Sequence, residues 1–365
     1  MIKPSAQVPE GHIPDMMSYD DIYVKSNDLS HVAGPTLIAM VHNEMYFLPA
    51  WLEHNRKLGV ERFILLDDAS TDATLDYLKS LTDVMVVGSR HRYGDTVVVA
   101  DRSTLNAQDG QTRKFGHLWR MMMTEKYALD TWAVHADADE FLVLPKGRCL
   151  GDLFEELASA DFDAVTGTML DTYPADIGTL RDQMTHASVD LSDDWYFDAR
   201  PHRLPKAGQF RKVYAGSRSR LFHDFLPRPA LHPVPWLKYH TRRLWHGRGP
   251  YRYANETEKF PLIRWRPGTW MQSSHKVSLR SSSSHHLPIL HMKFTGDLYR
   301  RAQIAIRDQS YYRGSVDYVR LVELIAEMES RNASFLCPWS APIHDPEAFM
   351  KGQLFFGFRG SAEGE

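Results

Sequence analysis

"PTLIAMVHNEMYFLPAWLEHNRKLGVERFILLDDASTD", residues 35 to 72, decides the fold. Its two apolar runs, at 36–41 and 63–66, show no alternation of polar and apolar residues. Strands covered on both faces read that way, because both sets of side chains meet a core. Between the runs, residues 44–60 space their apolar side chains helically and close on Gly59, a residue suited to a helix C-cap. A second helix follows at 71–81, with Ser70 or Thr71 as its N-cap, and then a third strand, "VMVVGS", at 84–89. Strands alternating with helices of this length predict right-handed crossovers and an α/β, Rossmann-like fold: a mostly parallel sheet flanked by helices.

Outward from that stretch, residues 110–129 predict a further helix and 131–144, "TWAVHADADEFLVL", a further strand. A helix at 150–160, strands at 162–170 and 287–294, and two helices at 297–312 and 315–330 continue the pattern. Residues 200–285 show few regular periods and predict a loop-rich lobe. The chain thus divides into an irregular lead-in (1–34), an α/β half (35–150), a second half of the same domain (151–330) and a tail with the last residues (331–365).

With 365 residues, 43% hydrophobic and 24% charged, the composition is that of a globular protein. A formal charge of −3 argues against bulk capture of nucleic acid. The two cysteines, Cys149 and Cys337, make no disulfide framework and fit a reducing compartment. The N-terminus lacks a signal-peptide layout, and no apolar run approaches the roughly 20 residues a transmembrane helix needs. The expectation is a cytoplasmic protein, in which the sequons at Asn255 and Asn332 carry no meaning; peripheral contact with the inner membrane surface stays compatible with it.

In open α/β sheets, ligands bind beyond the carboxyl ends of the strands. Those ends carry "HNE" (42–44), "DDAS" (67–70) and "DADE" (137–140), three polar clusters that would face one crevice. Within an extended strand Asp137 and Asp139 are same-side neighbours, about 6.5 Å apart. Two unpaired charges there repel by roughly 2–3 kcal/mol at an effective dielectric of about 20. Inside a crevice that calls for a cation, and hard oxygen ligands favour Mg²⁺ or Mn²⁺. A solvated acidic turn is the alternative for the three-residue motif by itself.

The N-terminal half resembles a GT-A glycosyltransferase of the family 2 type, and most of all the bacterial branch with an Asp-x-Asp-Glu-Phe motif, here "DADEF" (137–141). Residues 40–72 resemble that family's opening pattern. "GTMLDTYP", "AGSRSRLF", "KFPLIRW", "SSHK" and "LHMKF" follow in the family's order, so the resemblance covers roughly 35–325. It implies a hexosyltransferase-type enzyme that moves a sugar from a nucleotide-sugar donor, UDP favoured, to a glycan, lipid-linked or other hydroxyl acceptor. By the same resemblance, residues 35–150 would bind the donor and 151–330 would form the acceptor side. Asp139, with Asp137, would hold the Mn²⁺ or Mg²⁺ ion that bridges the diphosphate. Asn43 and Glu44 would lie beside the nucleoside, and Asp67 and Asp68 would include the carboxylate for uracil or ribose. Arg113 and Lys114 could reach the pyrophosphate, with surface helix charges as the plain alternative. His291 matches a late metal-ligating histidine, although one histidine among 18 is also an ordinary structural residue. His275, Arg218 and Arg220 match family positions that suit acceptor or phosphate contacts, with ordinary ion pairing as the alternative for the arginines.

An inverting transferase needs a carboxylate within reach of the acceptor hydroxyl. Asp171 in "MLDTYP" is the first candidate for that base and Asp193 or Asp194 the second; a cap or turn role is open to each. Residues 242–270 interleave arginines with aromatics, which suits an anionic glycan, a lipid-linked acceptor, RNA, or a lobe packed on itself. A sugar-nucleotide-forming nucleotidyltransferase would need a glycine-rich loop after the first strand, and "VHNEMYFLP" has no glycine. A nucleic-acid binder would be disfavoured by the acidic crevice. The remaining alternative is a catalytically degenerate nucleotide- or glycan-binding protein of the same fold.

Overall fold

The computed structural model describes residues 21–99, 111–199, 216–227, 257–308, 312–351 and 358. Its centre is a nine-stranded sheet, made from β1 (Ile22–Ser26), β2 (Thr36–Val41), β3 (Arg62–Asp67) and β4 (Val84–Ser89) together with later strands. A hairpin of β5 (Thr96–Val99) and β6 (Gln111–Lys114) intervenes. The sheet then takes in β7 (Trp132–His135), β8 (Glu140–Leu142) and β9 (Ala164–Asp171). After β10 (Tyr196–Asp198), β11 (Glu258–Arg264) and the short pair β12 (Met271–Ser273) and β13 (Lys276–Val277), β14 (Ser281–His291) completes it. The spatial order is β1-β4-β3-β2-β7-β11-β9-β14-β8. Strands β2, β3, β4 and β7 run parallel, β11 opposes β7 and β9, β14 runs with β9, and the edges β1 and β8 are antiparallel. Six of the nine strands therefore share one direction, and the sheet is mixed but mostly parallel.

Every residue of β3 is buried: 63–66 as an unbroken apolar run, and the flanking Arg62 and Asp67 with Thr36 and Lys25 as partners. Leu37, Ala39, Phe63 and Leu65 face one core with helix α1 (Leu48–Lys57), while Ile38, Ile64 and Leu66 face another. Two helices follow, α2 (Thr74–Lys79) and α3 (Phe115–Tyr127), and Leu118, Trp119 and Met122 of α3 fill that second core. Helix α1 begins with Pro49 in its first turn and buries Leu48, Trp51, Leu52 and Asn55, spaced as one helix face. It ends before Gly59 at φ 96°, where a side chain would be strained. Helix α4 (Leu150–Leu157) adds Leu150, Leu153 and Leu157 to the first core.

A third core joins α5 (Ile177–Gln183), α6 (Ser217–Phe225), α7 (Leu298–Asp308) and α8 (Tyr312–Ser330), with Leu221, Phe222, Leu298, Leu321 and Leu324 among its residues. The chain closes with β15 (Ser340–Pro342), paired to β10, and α9 (Pro346–Lys351). Among the described residues no helix is long and apolar enough to cross a membrane.

Five sequence expectations change. Inside 200–285, expected to be a loop-rich lobe, α6 and the internal strand β11 form. Residues 22–26, inside the stretch expected to be irregular, form the edge strand β1. Residues 111–114 extend as β6 rather than opening the helix, which starts at Phe115. Helix α2 starts at Thr74, after Ala73 and with no side-chain cap; Ser70 is instead bonded to the backbone N–H of Asn43. Most consequential, 131–144 is two strands, β7 in mid-sheet and β8 at the far edge, with the acidic motif at the corner between them. Much of the Arg- and aromatic-rich stretch, residues 242–256, lies outside the described residues.

Candidate active site

The corner at 137–140 is a tight turn: the N–H of Glu140 donates to the carbonyl of Asp137 at 3.0 Å. It is anchored from both sides. Trp51 Nε1 on α1 donates to the Glu140 carbonyl at 2.8 Å, and Met292 N–H, just past β14, donates to the Asp139 carbonyl at 2.8 Å. Because the chain turns here, Asp137 and Asp139 do not stand side by side on one strand. They diverge into different partner sets.

Asp137 accepts from Arg120 Nη2 on α3 at 2.6 Å and from Lys259 Nζ on β11 at 2.7 Å. Lys259 also pairs with Glu140, whose other carboxylate oxygen accepts the Asp137 N–H at 3.1 Å. Burial works against a charge on Asp137, yet Lys259 and then Arg120 hold its pKa well below the usual range. Burial likewise opposes the Lys259 charge, and Asp137 and Glu140 raise its pKa regardless. Tyr93 lies close enough to feel Asp137, Arg120 and Lys259, and its ring packs over Gly116, where a Cβ would come within 2.2 Å of it.

Asp139 turns toward α7 and β14. Its Oδ2 accepts from Arg301 Nη1 at 2.8 Å and lies 3.5 Å from His291 Nε2. Against burial, Arg301 and His291 hold this carboxyl well below its ordinary pKa. His291 ends β14, and its Nδ1 is 2.5 Å from Asp171 Oδ1 at the end of β9. The register of these parallel strands pairs His291 with Asp171 directly, so backbone geometry delivers the contact. Arg218 on α6 forks onto both Asp171 oxygens at 3.1 Å. Burial of Asp171 is outweighed by Arg218 and His291, which push its pKa well below the carboxylate range. For His291, burial opposes charge, and Asp139 and Asp171 raise its pKa.

Asp139, Glu140 and His291 each bring one ligand atom within 4.8 Å of the others. Two ligands on a Mg²⁺- or Mn²⁺-sized ion sit about 3 Å apart when adjacent. The 3.5 Å between Asp139 Oδ2 and His291 Nε2 is close to that spacing, and Asp171 fixes the ring from behind as carboxylates do for metal-bound histidines. The residues fit a small divalent ion. Glu140, the third member of that cluster, has one oxygen paired with Lys259 and the other on the Asp137 N–H, while Asp137 is bonded to Arg120 and Lys259.

The other candidates separate. Asn43 has φ 56°, and its side-chain oxygen accepts the N–H groups of Thr71 at 2.7 Å and Asp72 at 3.2 Å, so it staples the loop after β3. Glu44 reaches across to Arg301 Nη2 at 3.4 Å; burial raises its pKa to about 7. Asp67 is buried with one oxygen on Lys25 at 2.8 Å and the other on the Ser70 N–H at 3.1 Å. Asp68 accepts the Tyr93 N–H at 3.3 Å and faces Arg92 at 2.8 Å. His275 is held through Nδ1 by the Glu258 carbonyl at 2.5 Å, near the start of β11. Arg220 lies buried, forked onto Asp198 at 2.8 and 3.0 Å and donating to the Phe335 carbonyl, the ordinary ion pairing given above as its alternative. Lys114 ends β6, and its side chain, like that of Arg113, lies outside the described residues.

Arg120, Lys259 and Arg301 escaped the sequence reading. Each neutralises an acidic residue from far along the chain, at separations of 17, 122 and 162 residues. Lys259 opens "KFPLIRW" and Arg301 lies ten residues beyond His291, so the family-like order held positional hints whose chemistry was hidden.

Fold and site together define an α/β protein with a mixed, mostly parallel sheet and a carboxylate–histidine–carboxylate line at the carboxyl ends of its strands. No protein-family model and no curated protein matches the chain. Among solved structures it is similar to glucosyl-3-phosphoglycerate synthase from Mycobacterium tuberculosis in complex with uridine diphosphate, at 17% identity and a TM-score of 0.23. That match covers 46% of this chain and 58% of the other, less than two thirds of its length, and is too distant to bear on function.

Proposed function

We propose that the protein is a glycosyltransferase that takes a sugar from a nucleotide-sugar donor, UDP-linked by preference, with a divalent ion held by Asp139 and His291. The observation that carries this reading is the line Asp171–His291–Asp139, in which Nδ1 is bound and Nε2 points at a second carboxylate. A purely structural histidine at a strand end has no need of an aspartate on each nitrogen. When bound, a divalent ion there would supply positive charge to the leaving diphosphate. Asp139 and His291 would provide two of its ligands, and Asp171 would keep the His291 proton on Nδ1. Asp137, held between Arg120 and Lys259, would face the donor beside Tyr93. Residues from α6 onward would offer the acceptor side, with a glycan or lipid-linked hydroxyl as the acceptor class.

Asp171 suits a positioning role better than that of a base. Both of its oxygens are engaged, and its depressed pKa is far from the near-neutral value proton abstraction favours.

The test is calorimetric titration of UDP and of GDP, each with and without Mn²⁺, into the wild type, Asp139→Ala and His291→Ala. Mn²⁺-dependent binding of one nucleotide, lost in both variants, is the expected result. Absence of binding by folded wild type would overturn the proposal. One observation favours a second reading, a nucleotide- or glycan-binding protein without turnover: Arg120, Lys259 and Arg301 already neutralise the acidic corner. Nucleotide binding indifferent to Mn²⁺, with no transfer or hydrolysis of UDP-sugars, would select it.

A further inference from the structure

We propose that Arg301 is an exchangeable counter-ion: it holds Asp139 until a divalent ion binds, then transfers to Glu44. This inference rests on the metal reading of the site. Arg301 projects from α7 with its guanidinium 5.0 Å from the Phe47 ring centroid. One terminal nitrogen sits 2.8 Å from Asp139 Oδ2, the oxygen that also faces His291 Nε2. A cation bound between Asp139 and His291 and the Arg301 guanidinium therefore compete for one oxygen.

The second terminal nitrogen already points at Glu44 Oε1, at a long 3.4 Å. Glu44 Oε2 is buried and has no hydrogen-bond partner. A buried, half-satisfied carboxylate is costly, and a full fork from arginine is the geometry that relieves it. Glu44 is thus a waiting acceptor on the far side of the guanidinium. A rotation about the end of the Arg301 side chain, pivoting on the Phe47 ring, would release Asp139 and complete the pair with Glu44. The device keeps Asp139 compensated in both states: Arg301 covers it when no metal is present, and Glu44 takes Arg301 when metal arrives. Glu44 is attached just beyond β2 and Arg301 to α7, so the exchange would also draw α7 onto the end of β2.

The experiment is Mn²⁺ titration without nucleotide, followed by calorimetry and by the electron paramagnetic resonance signal of free Mn²⁺. Proteins are the wild type, Arg301→Gln, Arg301→Lys, Glu44→Gln, Arg301→Gln/Glu44→Gln and His291→Ala, each checked for folding by its melting transition. Arg301→Gln is expected to bind Mn²⁺ about tenfold more tightly, since one charge-assisted contact no longer competes. Glu44→Gln is expected to weaken binding several-fold, and that effect should vanish in the double variant. Simple loss of negative charge would weaken binding by the same factor whether or not Arg301 is present, so additivity overturns the exchange. Unchanged or weaker Mn²⁺ binding by folded Arg301→Gln also overturns it. Should Arg301→Gln not fold, Arg301→Lys, which cannot fork onto Glu44, takes its place together with Arg301→Lys/Glu44→Gln: a Glu44→Gln effect that shrinks in the lysine background supports the proposal, and one that does not overturns it. Failure of the metal reading itself has a separate signature: the wild type binds no Mn²⁺, or His291→Ala binds it as the wild type does, and the exchange falls with it.

Discussion

Replacing Asp171 by asparagine separates the two roles open to that residue. In the folded protein its carboxylate receives His291 Nδ1 at 2.5 Å and the Arg218 fork at 3.1 Å, with the side chain almost fully buried. Asparagine keeps the size and one acceptor oxygen but removes the charge. If Asp171 orients His291, the loss falls on metal affinity, where such supporting partners contribute 10–100-fold, or roughly 1.4–2.7 kcal/mol. Stability should fall as well, by up to about 3–5 kcal/mol, because the Arg218 charge stays buried with its pair broken. Calorimetric Mn²⁺ titration measures the first quantity and urea unfolding the second. Arg218→Met in combination with Asp171→Asn should restore most of the lost stability without restoring Mn²⁺ affinity. If Asp171 is instead the base, Mn²⁺ affinity stays put while turnover drops by about 10²–10⁴. An unchanged Mn²⁺ dissociation constant in folded Asp171→Asn would refute the orienting role.

Three further perturbations probe the surroundings. His135 is buried with neither ring nitrogen hydrogen-bonded, and burial, assisted by Arg120, lowers its pKa to about 3. A depressed histidine pKa means the unfolded chain takes up a proton that the folded chain refuses. Its contribution to stability is therefore full above about pH 6.5 and lost as pH falls toward 3, by about 4–5 kcal/mol at most. His135→Leu should flatten the fall in urea-unfolding stability between about pH 6.5 and 4.5; an unaltered slope would show that the ring is hydrated or paired in solution. Lys259→Met should destabilise the protein by about 3–5 kcal/mol, since Asp137 loses a cation and Glu140 is left buried with its charge uncompensated. Adding Glu140→Gln should recover much of that in urea unfolding, and failure to do so would mean that Lys259 acts mainly by packing. Gly116→Ala places a methyl within 2.2 Å of the Tyr93 ring, so the ring must move off α3. Nucleotide affinity measured by calorimetry should drop several-fold with the melting temperature lowered by only a few degrees, and unchanged affinity would remove Tyr93 from the donor side.

The fold was legible because its determinants are local. The buried runs of β2, β3 and β4 and the spaced apolar face of α1 declare themselves within a few residues, and neighbours in the sheet follow from short crossovers. The corner was not legible, because "TWAVHADADEFLVL" is apolar on both sides of the motif and nothing local says that the second part crosses to the other edge of the sheet. Only pairing with β14, about 150 residues later, fixes that register. Asn43, Asp67 and Arg220, expected as ligand contacts, hold loops and core together through partners distant in sequence, which the local sequence does not display.

The same dependence changes what the acidic motif means. Taken as an isolated strand, the motif presents two like charges that require an outside cation. Folded, Asp137 has Arg120 and Lys259, and Asp139 has Arg301, so charge neutrality by itself no longer demands a metal. What still points to one is asymmetry between the two aspartates. Asp137 is tied to two cations, Arg120 on α3 and Lys259 on β11. Asp139 shares its oxygen between an arginine side chain and an imidazole whose other nitrogen is fixed by a buried carboxylate. A rigid nitrogen ligand aimed at a carboxylate with a movable counter-ion is an arrangement that can open. The Asp137–Lys259–Glu140 pairing, closed on both sides and tied to the turn by the Asp137 N–H, has no such second position. Divalent-ion dependence should therefore follow substitutions at Asp139, His291 and Arg301, while substitutions at Asp137 and Lys259 should register chiefly in stability and nucleotide affinity.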